Sequence, residues 1–209
     1  MQTPRRILVV SDTVVQALYR QFDGQRFGEI DLVLSCGDLP PEYLTFLTSV
    51  LKAPLCYVRG NHDIRYDTKP PDGCLEIHGR IHSFGSLRVL GLGGSRWYNG
   101  GPNQYTEQEM RRLIRRLRPS LRWKRSVDIV LTHAPPRYIH DAEDPCHRGF
   151  RCLRRLIDMY QPAYLLHGHI HAPFDSEDQR ITRVGRTRVI NCFGCYLLEI
   201  EKDGMVEES

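Results

Sequence analysis

No apolar run in this 209-residue chain approaches the ~18 residues needed to cross a bilayer, and its start, MQTPRRILVVSD, passes from two arginines directly into a core-like strand. Neither a secretory leader nor a membrane span is expected. Cysteine is present but unpatterned. Seven of them (Cys36, Cys56, Cys74, Cys146, Cys152, Cys192, Cys195) make an odd set without framework spacing, several inside apolar runs where a thiol packs as a small hydrophobe. That excludes a disulfide scaffold and favours a reducing, cytoplasmic location. Cys192-Phe-Gly-Cys195 is a lone CxxC in strand-like sequence with no second pair, so zinc or redox chemistry is not expected there. Repeats, linkers and low-complexity segments are also lacking. One domain, 1–209, is expected, because halving the chain would leave each part near the lower limit for independent stability.

With 41% hydrophobic and 26% charged residues the composition is that of an ordinary globular protein, which excludes the disordered and fibrous classes. The net charge of +4 is modest, but basic residues crowd Arg111 to Arg125, where Met110, Leu113, Ile114 and Leu117 keep an apolar stripe at helical spacing. The expectation is an amphipathic helix with a solvated cationic face, with Pro119 ending its first part.

Ile7 to Val10, Leu32 to Cys36, Leu55 to Val58, Ile129 to Thr132 and Tyr164 to Leu166 read as buried strands. Helical character fills Val14 to Arg20, Glu42 to Leu51, Thr106 to Arg118 and Gly149 to Tyr160. The second of these is opened by Pro40-Pro41, and the third by a capping box of Thr106 and Glu109. Cys74 to Phe84 and Leu87 to Leu92, separated by Gly85-Ser86, and the stretch Ile181 to Glu201 alternate like hairpins of a second sheet. The expected fold is α/β, a four-layer α/β/β/α sandwich of two mixed sheets flanked by helices.

Polar residues cluster where apolar strands end: Asp12 after ILVV, Asp38 after LVLSC, Asn61-His62-Asp63 after LCYVR, His133 after DIVL, and His169 and His171 after AYLLH. Ligands of α/β sheets bind beyond strand carboxyl ends, so these side chains can converge there. Imidazoles and carboxylates together suit transition metals, and carboxylates can bridge two of them.

In this order and spacing the blocks resemble the calcineurin-like metallophosphoesterases, whose pattern is D-x-H, GD, GNH[DE], a strand-end His and GHxH; four of five blocks match. The resemblance implies a phosphoesterase with two divalent metal ions (Mn, Fe, Zn or Ni, with Mn favoured). It implies that Asp38 bridges them, that Asn61, His133 and His169 complete one site, and that Asp12 and His171 serve the other. It gives His62 the role of protonating the leaving oxygen, with Asp63 orienting its imidazole. The departure is Val14, which stands where the family has a metal-binding histidine and leaves the second site weak.

Two loops are candidates for closing the site. The polar stretch His140 to His147 is expected to be a simple exposed loop, with a replacement ligand from His140 or His147, or a substrate contact through His147, as the alternatives. The glycine-rich stretch Gly91 to Gly101 offers Arg96 as a phosphate clamp and Trp97 or Tyr98 as a cover. That stretch lacks the GK[ST] and strand-to-helix context of a nucleotide loop. The compact length resembles small bacterial-type members that act on phosphodiesters, including cyclic nucleotides. The expected partner is a small phosphate ester, with neither nucleic acid nor membrane. A phosphomonoesterase and a non-catalytic scaffold on the same fold are the alternatives.

Overall fold

The computed structural model describes residues 3, 5–20, 27–123, 127–172, 174 and 176–200; Lys124, Arg125 and Glu201 of the stretches above lie outside them. The five core strands appear as β1 (Arg6–Ser11), β2 (Leu32–Ser35), β3 (Leu55–Tyr57), β9 (Ile129–Thr132) and β10 (Tyr164–His167). One sheet has the order β13-β1-β2-β3-β4, where β4 is Cys74–Glu76 and β13 is Gly194–Glu199. Strands β1 to β4 run parallel, and β13 is antiparallel at the edge. The other sheet has the order β11-β12-β10-β9-β6-β5, from β5 (Arg80–Phe84), β6 (Leu87–Leu92), β11 (Ile181–Val184) and β12 (Thr187–Asn191). Its four inner strands are parallel and its two edge strands antiparallel. A short parallel pair, β7 (Ser95–Arg96) with β8 (Gln104–Tyr105), closes the glycine-rich loop after β6.

Side-chain alternation makes the four layers. Ile7, Val9, Leu32 and Leu34 of the first sheet meet Val89, Ile129, Leu131 and Leu166 of the second in a shared core. The residues between them turn outward: Leu8, Val10 and Val33 pack under α2 (Pro41–Leu51) with α1 (Gln16–Tyr19) beside it. Leu90, Val130 and Leu165 pack under α3 (Glu107–Trp123) and α4 (Arg151–Tyr160). Each fully buried aliphatic side chain contributes about 1.5–3 kcal/mol, so this two-faced burial explains strands that read as continuous apolar runs.

Helix starts follow the sequence. Pro41 opens α2 at its first position. The capping box before α3 is formed: Thr106 N–H donates to Glu109 Oε2 at 2.8 Å and Glu109 N–H donates to Thr106 Oγ1 at 3.2 Å. Helix α4 lacks a side-chain cap of its own and takes one from α3, where Glu107 accepts the N–H groups of Arg151 at 3.0 Å and Cys152 at 2.7 Å.

Two expectations are corrected. Helix α3 does not stop at Pro119 but runs on to Trp123, because Leu121 continues the buried face and the Arg88 guanidinium takes the carbonyl of Ser120 at 3.2 Å. The stretch Cys74 to Phe84 is not one strand. Its first part pairs with β3 as β4, and its second part crosses to the other sheet as β5, pairing with β6.

Candidate metal centre

Parallel register sets the site. Val10, Ser35 and Tyr57 are level across β1, β2 and β3, so Asp12, Asp38 and Asn61 leave the first sheet at one edge. Leu131 and Leu166 are level across β9 and β10, which delivers His133 and His169 from the second. Each exit is stitched within its own sheet, where Asp12 N–H donates to Gly37 O at 3.0 Å and Gly168 N–H donates to His133 O at 3.0 Å. Asp12, Asp38 and His169 take left-handed φ angles of 65°, 57° and 66°, strain that turns their side chains inward.

Asp38, His133 and His169 each offer a ligand atom within 4.8 Å of the others. His133 is fully buried and its orientation is fixed: Nδ1–H donates to Cys36 O at 2.9 Å. That leaves Nε2 facing Asn61 Oδ1 at 3.1 Å and Asp38 Oδ2 at 3.3 Å. His169 Nε2–H donates to the Cys146 carbonyl at 2.8 Å, which leaves its Nδ1 as the lone-pair atom. The approach is close enough that a Cβ on Gly60 would overlap Asp38 Oδ1 and His133 Cε1, and one on Gly168 would overlap Ser11 Oγ and Asp12 Oδ2. The glycines of the two motif blocks are therefore steric requirements.

Electrostatics call for a cation. Burial resists protonation of His133, but the carboxylates of Asp38, Asp12 and Asp63 outweigh it and raise the imidazole to about 9. Burial likewise acts to raise Asp38, yet His133 and the His62 N–H pull it down to about 2. Burial, helped by the His133 charge, pushes His169 down to about 4. The pocket stabilises positive charge on one imidazole and a neutral lone pair on the other.

Asp12 and His171 stand beside this cluster. His171 Nε2 lies 3.5 Å from Asp12 Oδ1, while both Asp12 oxygens accept the His169 N–H at 3.0 Å. Val14 is half-buried against the cluster of Leu8, Val10 and Leu18 on the helix side of the sheet. His62 donates its backbone N–H to Asp38 Oδ1 at 2.7 Å and leaves its imidazole exposed, without a hydrogen bond or ion pair among the described residues.

The expected role of Asp63 is not what the structure shows. Its carboxylate accepts the backbone N–H groups of Gly60 at 2.7 Å, Asp38 at 2.8 Å and Leu39 at 3.1 Å, and so ties the two turns together instead of holding the His62 ring. Burial and the neighbouring Asp38 push it up to about 6 against those donors.

Both loops reach the centre. The segment carrying His140 to His147 folds over it, placing the Cys146 carbonyl on His169 and the His147 ring 5.3 Å from the His169 ring. His147 Nδ1 is held by Asp144 at 3.0 Å. His140 is turned away from the ligands. It bonds His167 Nε2 through Nδ1 and Thr182 Oγ1 through Nε2, both at 2.9 Å, so the expectation of a replacement ligand from His140 is not met. From the glycine-rich loop, the Tyr98 hydroxyl accepts the Asn61 amide at 3.3 Å. The side chain of Arg96, on β7, bonds to no described residue. Cys146 acts through its backbone, which residue type could not signal. His167 is buried and donates from Nδ1 to Gly168 O at 2.9 Å, and His78 accepts the Gly93 N–H at 3.0 Å; both are structural.

A family model described as calcineurin-like phosphoesterase matches residues 5–173. The chain belongs to that family. A curated relative, the 3',5'-cyclic adenosine monophosphate phosphodiesterase CpdA of Pseudomonas aeruginosa, is 31% identical over 159 residues, covering 71% of this chain and 57% of its own. The chain thus spans little more than half the length of that relative. Among solved structures, TT1561 of Thermus thermophilus matches with a TM-score of 0.65 at 17% identity, over 92% of this chain and 90% of the other. A putative 5'-nucleotidase from Staphylococcus aureus matches at 0.55 and 12%, over 97% and 55%. At these identities the structures establish a shared fold.

Membership brings divalent metal cofactors, and the donor set fits them: an oriented His133 Nε2 whose site favours positive charge, a neutral His169 imidazole, an amide oxygen and a carboxylate held at low pKa stand together. No helix among the described residues is long and apolar enough to cross a membrane.

Proposed function

We propose that this phosphoesterase hydrolyses phosphodiesters, cyclic nucleotides among them, with two divalent ions of which manganese is the preferred one. Asn61, His133 and His169 would hold one ion, Asp12 and His171 the other, and Asp38 both. The convergence of Asp38, His133 and His169 within 4.8 Å carries this reading, and the cyclic AMP phosphodiesterase among its relatives supports the diester. When bound, the ions would supply the positive charge that polarises phosphoryl oxygens. The chain's own groups do the rest. His62, anchored by its backbone and free at its ring, donates a proton to the leaving oxygen. Asp63 sets the turns that carry Asp38 and His62. His147, held by Asp144, and Arg96 bind the ester. The seven cysteines are free thiols, which fits a cytoplasmic enzyme.

The test is hydrolysis of bis(4-nitrophenyl) phosphate and 4-nitrophenyl phosphate with added manganese. The diester should be the faster substrate, and His62→Ala should lose roughly 10²–10⁴-fold while retaining the fold. A faster monoester would reassign the substrate, and inactivity on both would leave the scaffold reading that Val14 favours.

A further inference from the structure

Helices α3 and α4 lie side by side on the outer face of the second sheet, their N-termini joined through Glu107. Between them runs a cleft walled by Arg111, Arg115 and Arg118 of α3 and Arg155 of α4, over an apolar floor that includes Ile114. The charge here is unusual for this molecule. Several arginines elsewhere are paired, Arg59 with Asp67 and Glu76, Arg65 with Glu42, and Arg137 with Asp141 and Glu143, whereas isolated ones such as Arg96 stand alone. Among the described residues none of the four cleft arginines bonds a carboxylate, and neither do their neighbours Arg112 and Arg116. Arg154, on α4, does find an acid, Asp158, at 3.4 Å. Six guanidiniums without a carboxylate partner among the described residues thus stand on α3 and α4 together.

We propose that this cleft binds the phosphate backbone of a single-stranded nucleic acid. Guanidinium forks match phosphate oxygens. Along α3, Arg111, Arg115 and Arg118 follow one another at about 6 and 4.5 Å of axial rise, a linear array suited to a linear polyanion. An anionic membrane fits less well, because the floor residues are recessed between the helices and only Met159 among them is a large exposed apolar side chain. The site lies outside the metal centre and does not depend on the reading given for it.

The test is fluorescence anisotropy of a labelled ~20-nucleotide strand with the full chain, in EDTA so that nothing is cleaved, across a salt series. Four phosphate contacts predict a log–log salt slope of about −3. Replacing three arginines together (R115E/R118E/R155E) should weaken binding at least tenfold, while R115K/R118K/R155K retains most of it. Circular dichroism and thermal melting confirm that both variants are folded. No binding at about 25 mM salt, where phosphate contacts are strongest, would overturn the proposal. So would equal binding by the folded Glu variant, or tighter binding to phosphatidylserine vesicles or polyglutamate than to the strand.

Discussion

Asp63 Oδ2 accepts the backbone N–H of Asp38 at 2.8 Å, joining the GNHD block to the metal-facing turn of the GD block. With Gly60 and Leu39 as further donors, one buried carboxylate fixes two strand exits. Asp63→Ala leaves three backbone donors unmet and should lower unfolding stability by about 2–4 kcal/mol in urea titration. Manganese affinity should fall with it. A variant as stable as the parent would contradict the tie.

His140 and His167 form a directional chain. His167 Nδ1–H is committed to Gly168 O, so its Nε2 accepts from His140 Nδ1–H, and His140 Nε2 in turn accepts from Thr182 Oγ1–H. Burial lowers the pKa of both rings, in agreement with neutral imidazoles. His140→Leu should cost about 1–3 kcal/mol by orphaning His167 Nε2 and the Thr182 hydroxyl. It should also loosen the loop that sets Cys146 against His169, seen as weaker manganese binding in calorimetry. His140→Gln should lose less; equal affinities in all three proteins would refute the link.

Val14 packs into the helix-side apolar cluster. Placing a histidine there by Val14→His should therefore not add a ligand: manganese per chain stays unchanged, and stability drops by about 1–3 kcal/mol as a polar ring displaces apolar contacts. A gain of bound metal would show instead that the side chain can swing to Asp12.

The central strands were legible in the sequence because burial on both faces writes them as continuous apolar runs, and the convergence of Asp38, His133 and His169 because each follows the end of one. The capping box of Thr106 and Glu109 was legible for its local geometry. What escaped depends on tertiary contacts. The path of α3 past Pro119 rests on Arg88 and Leu121, the split of Cys74 to Phe84 on which sheet has a free edge, and the role of Asp63 on backbone groups that no residue type announces. The reach of Cys146 to His169 was hidden for the same reason.

The most direct test of the account is the hydrolysis rate of bis(4-nitrophenyl) phosphate as a function of free manganese, starting from chelator-treated protein. The account predicts no rate without metal, recovery on adding manganese, and no recovery in His169→Ala, whose ring completes the Asp38 and His133 cluster. A folded protein that stays inactive at every manganese concentration, or a His169→Ala variant that recovers fully, would contradict it.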